Sequence, residues 1–86
     1  MSVKLKDGSI SPFLKEKLLI SVNDSLGHRS NHLIEAIPLT DTIISKLHTK
    51  NKNSLFDRGN IISTVLEVLK NFDNTAANYY SSYHND

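Results

Sequence analysis

The 86 residues are 38% hydrophobic and 22% charged, which fits one small globular domain spanning 1–86; a chain of this length buries only about 60–65% of its extended surface. A formal net charge of +1 gives no global field to recruit nucleic acid or an anionic membrane, so any charge-based function must come from a local cluster. The absence of cysteine excludes disulfides and thiolate metal sites. No apolar run reaches membrane-spanning or signal-peptide length, so a cytoplasmic location is expected.

In Val3-Lys4-Leu5-Lys6, apolar residues alternate with lysines, the period-two pattern of a half-buried strand. Asp7-Gly8 then reads as a two-residue hairpin turn, because a type I′ turn needs positive φ at both central positions. Ser9 to Phe13 forms a second short segment leading into a helix, with Pro12 suited to the helix start. Leu14, Leu18, Val22 and Leu26 recur every four residues, widened by Leu19, and Gly27 is placed as the C-cap glycine. His28 to Asn31 reads as a loop. The stretch from His32 to Ile37 is ambiguous, and Pro38 argues against one continuous helix. The second helix is therefore expected to start near Pro38, with Leu39, Ile43 and Leu47 inward and Ile44 at the flank.

Thr49 to Asn53 is turn-rich, and Ser54-Leu55-Phe56 is a candidate third strand. Asp57 or Asn60 is expected to cap a third helix whose apolar face is Ile61, Val65, Val68, Leu69 and Phe72. Asp73-Asn74-Thr75 breaks that helix and caps a fourth, with Ala76, Ala77, Tyr80 and Tyr83 on its inner face. The predicted fold class is α+β: a small four-helix bundle capped by an N-terminal β-hairpin, with a three-stranded sheet as the open alternative.

Several of these strings, in this order, resemble the ATP-cone, the nucleotide-binding regulatory domain of ribonucleotide reductases and of the transcriptional repressor of their genes. The resemblance rests on Val3, Lys6, Asp7-Gly8, Pro12-Phe13 and Lys17-Leu18 at one end. At the other it rests on the apolar run Ile61 to Leu69, Asp73, Ala76-Ala77, Tyr80 and Tyr83-His84. It spans nearly the whole chain, in a stand-alone and partly degenerate form. It implies a regulatory domain that binds ATP or dATP and acts through a change in association state. The chain departs from the family pattern at Leu5, Ser11, Leu14 and Tyr79, each of which replaces an expected polar or charged group. The alternative is a degenerate cone that serves as a nucleotide-independent protein–protein interaction module.

Lys6 and Lys17 are the candidate phosphate contacts, since a triphosphate needs converging cationic donors. Val3, Phe13 and Leu18 would line or close the nucleotide site. The competing reading is that the lysines are solvated and the apolar residues are core. Among the C-terminal tyrosines, Tyr80 and Tyr83 are expected in the core and Tyr79 at a partner interface. His28, His32 and Glu35 have a spacing that would suit zinc only on one helix, and Gly27 with the polar loop argues against that helix. No metal is expected. Nothing aligns a serine, histidine and aspartate, and no glycine-rich phosphate loop occurs, so no enzymatic activity is expected. A protein partner or a homo-oligomer is the expected assembly, with no membrane and no nucleic acid.

Overall fold

A computed structural model describes the backbone of residues 2–4, 8–12, 14–50 and 55–83, and their side chains except at Ser11 and Leu55. Three short strands and four helices follow the order β1 (Ser2–Lys4), β2 (Ile10–Pro12), α1 (Lys15–Ser25), α2 (His32–Lys50), β3 (Leu55–Asp57), α3 (Arg58–Phe72) and α4 (Asn74–Tyr83). The sheet order is β2-β1-β3. β1 lies antiparallel to β2, with Val3 opposite Ser11, and parallel to β3, with Val3 opposite Phe56. Leu5 and Lys6 of the expected first strand and Asp7 of the expected turn lie outside the described residues; Gly8 takes φ of 87°, a conformation glycine adopts without a Cβ penalty.

The helices close a ring in which α1 packs on α2, α2 on α3, α3 on α4 and α4 back on α1. Cross-links between α1 and α2 run antiparallel: Lys15 at the start of α1 pairs with Asp41 midway along α2, and Asn23 near its end meets His32 at the start of α2. The core is Leu18, Val22 and Leu26 from the α1 side, Ala36, Ile43 and Leu47 from α2, Phe56 from β3, Val65, Val68 and Leu69 from α3, and Ala76, Ala77 and Tyr80 from α4. The small alanines let α4 sit close to its neighbours, and burial pushes the Tyr80 phenol up to about 12.

Several expectations are corrected. α2 begins at His32, and Pro38 lies inside it rather than at its start. A proline within a helix removes one backbone bond and costs about 3 kcal/mol. Here the ring faces solvent, and α2 is held on both flanks by α1 and α3, so tertiary packing outweighs the local penalty. Pro12 belongs to β2, opposite Ser2, and not to the first turn of α1. Gly27 directly follows the C-cap Leu26, the position of a helix-ending glycine, but it does not use positive φ. Leu14, expected to begin the apolar stripe of the first helix, is exposed as the N-cap of α1. Phe72 and Tyr83, expected inward, are 40% and 60% exposed. Both stand at helix ends, where the bundle no longer covers the apolar face.

Asp57 is the N-cap of α3, its carboxylate accepting from the Gly59 N–H at 2.7 Å. Asp73 both receives the end of α3, its N–H bonding Leu69 O, and caps α4 by accepting from the Thr75 and Ala76 N–H groups.

Candidate functional site

The residues expected to hold a nucleotide divide by depth. Val3 is half-buried in the central strand, Lys17 is exposed in the first turn of α1, and Leu18, the next residue, belongs to the core. Lys6 and Phe13 lie outside the described residues. Lys4 and Lys17 form no ion pair with any described residue, whereas Lys15 is engaged with Asp41 at 2.7 Å. Tyr79 is 43% exposed and stacks at a tilt on His28, ring centroids 5.3 Å apart.

The densest polar arrangement is elsewhere, where the α1–α2 loop meets the α3–α4 junction. Arg29 grips Glu35 with two parallel bonds of 2.8 Å, Nε to Oε1 and Nη2 to Oε2. Its Nη1 donates to Asp73 Oδ2 at 2.9 Å. His28 Nε2 reaches the same Oδ2 at 2.9 Å; a carboxylate oxygen only accepts, so this ring nitrogen carries a proton. The guanidinium also lies 4.8 Å from the centre of the Phe72 ring, a cation–π contact that explains why an exposed phenylalanine is held in place.

The electrostatics follow from these contacts. Hydrogen bonds from His28 first and then Arg29, with the two backbone N–H groups of α4, hold the Asp73 carboxyl down to about 2. Arg29 likewise lowers the Glu35 carboxyl, and Glu35 first and Asp73 second raise the guanidinium. The cluster borders a shallow polar hollow of about 370 Å³ lined by His28, Arg29, Ser30, Asn31 and Glu35. Every charged group in it already has a partner within the chain, so its evident work is to bolt two loops together.

Among the described residues the histidines do not converge. His28 faces Asp73, His32 bonds Asn23, and His48 packs edge-on against Phe56. Among the described residues no group of three metal-ligating side chains comes together.

Beside the polar cluster lies a second hollow of about 390 Å³, lined by Ile34, Glu35, Pro38, Leu39, Thr42 and Phe72. Ile34 is 73% exposed there, and Leu33 and Ile37 are exposed on the adjoining turn. Sequence reading missed both features. Arg29 and Asp73 are 44 positions apart and carry no spacing signal; Asp73 was visible only as a cap. The apolar surface of α2 was hidden because His32 to Ile37 read ambiguously and the second helix was expected to start near Pro38.

No family model matches the chain, and no curated protein matches it. Among the described residues no helix is long and apolar enough to cross a membrane.

Proposed function

We propose that the chain is an ATP-cone-like regulatory domain that binds an adenine nucleotide, ATP or dATP, and acts through a change in association state. The observation that carries this reading is the element order: two strands, two helices, a strand, two helices, with the third strand falling between α2 and α3. Lys17 supports it further, as an exposed cation in the first turn of α1 that forms no ion pair with any described residue, where a phosphate contact is expected. The mechanism is differential affinity: a nucleotide shifts an assembly equilibrium only by binding one association state more tightly than the other.

Calorimetry of the purified chain with ATP and with dATP tests this. Binding that is lost in Lys6→Ala and in Lys17→Ala is expected. No heat at millimolar nucleotide would end the reading. A nucleotide-independent interaction module is the second reading, favoured by the exposed apolar surface of α2 around Ile34 and Ile37.

A further inference from the structure

We infer that Asp73 is a hinge lock: when it lets go, α3 and α4 join into one helix and α4 docks on a second copy of the chain, forming an exchanged dimer. The inference goes beyond both functional readings and depends on neither, since the exchange needs no nucleotide and makes no use of the α2 surface.

Asp73 is the one residue between α3, which ends at Phe72, and α4, which begins at Asn74. Its backbone already belongs to both helices. Its N–H donates to Leu69 O at 2.6 Å, and its carbonyl accepts from the Ala77 N–H at 3.2 Å, each at the four-residue spacing of an α-helix. Only its dihedrals interrupt the run, at φ −159° and ψ 108°. Turning this single residue into the helical region merges the two helices. The merged helix carries α4 away from its own α1 and α3, on which it now packs.

The exchange of bonds is close to even. The merger gives up the cap, in which the Thr75 and Ala76 N–H groups donate to Asp73 Oδ1 at 2.9 and 3.4 Å, because an N-cap side chain reaches those groups only from a non-helical backbone. In return the Asn74, Thr75 and Ala76 N–H groups meet the Lys70, Asn71 and Phe72 carbonyls at helical spacing. The released α4 still has to bury Ala76, Ala77 and Tyr80, all core residues. The same α4 site on a second copy buries them equally well, which is why exchange of an identical element is a low-cost route to a dimer.

The side chain of Asp73 therefore decides between the two forms. Besides the cap, its Oδ2 takes Arg29 Nη1 and His28 Nε2, both at 2.9 Å, and so ties the hinge to the α1–α2 loop. A dimer contains two hinges, so each tie counts twice against exchange.

The test uses the full chain, which has no cysteine of its own. His28→Cys with Tyr79→Cys sets one thiol on the α1–α2 loop and one on α4, where the native rings lie 5.3 Å apart. After incubation at about 1 mM, a short bis-maleimide links the two thiols within one chain when α4 is at home and between two chains when it is exchanged. A denaturing gel separates the products. In this background Asp73→Asn keeps an oxygen for the cap, and with it the fold, but loses the charge that holds Arg29. Asp73→Ala loses the cap as well. The covalent dimer should be scarce with Asp73 in place, several-fold more abundant in Asp73→Asn, and at least about tenfold more abundant in Asp73→Ala. Two glycines inserted between positions 73 and 74 should abolish it, because they break the merged helix. Dimer no more abundant in either variant than with Asp73 in place would overturn the proposal. So would a dimer that sedimentation detects but that is linked only within chains, or one indifferent to the inserted glycines.

Discussion

The two ends of α2 treat charge in opposite ways. At the N-terminal end Glu35 is fixed by both arms of Arg29, and Arg29 is fixed by Asp73 and by the ring of Phe72. At the C-terminal end Lys46 and Lys50 reach Glu67 with single contacts of 3.7 and 3.2 Å, and all three side chains are nearly half exposed. Bidentate, partly desolvated pairing holds two loops in register, whereas exposed single contacts gain little against solvent and side-chain entropy. The first end is built to stay closed. The second keeps its lysines available.

The sharpest way to break this comparison is Arg29→Ala. It leaves Glu35 and Asp73 facing each other without a cation and uncovers Phe72. Thermal denaturation at neutral pH should show a larger loss than for any lysine on α2; a melting point equal to wild type would remove the distinction.

Acid is the next test. The Asp73 and Glu35 carboxyls are held below their ordinary values, so the stability they contribute is present above about pH 4, where the unfolded carboxyls are ionised. It is lost as pH falls, for Asp73 down to about 2. Thermal midpoints should therefore hold from pH 7 to pH 5 and drop between about pH 4 and 2. Asp73→Asn, which keeps a side-chain oxygen for the α4 cap, should flatten that drop.

Between the two ends lies Thr40, fully buried, whose hydroxyl finds no hydrogen-bond partner among the described residues. Thr40→Val keeps the shape and removes an unsatisfied polar group, so urea denaturation should show a gain of about 1 kcal/mol. A loss there would mean that the hydroxyl has a partner. The smallest effect belongs to Lys46→Ala, which should leave the thermal midpoint within error of wild type. A drop comparable to that of Arg29→Ala would show that the basic end is also structural.

Much of this architecture was legible in the residues. The four-residue spacing of Leu18, Val22 and Leu26 was enough to place the buried face of α1, and Val65, Val68 and Leu69 did the same for α3. Asp57 and Asp73 were readable as caps because a carboxylate before a helical run accepts from the first free N–H groups, a strictly local interaction. The apolar Leu55-Phe56 pair pointed to β3. Among the site candidates, Tyr79 was expected at the surface and is exposed, while Leu18 was offered both as pocket lining and as core and lies in the core.

What the sequence by itself determined is therefore whatever depends on neighbours within one or two turns: helix period, caps and the polar breaks between elements. Tertiary structure alone decided the rest. It carried α2 through Pro38, because packing on α1 and α3 outweighs one lost backbone bond. It left Phe72 and Tyr83 at the surface, because a periodic apolar position is buried only where another element covers it. It joined Arg29 to Asp73 across 44 residues and brought Lys46 and Lys50 to Glu67, arrangements that exist only once the helices close their ring.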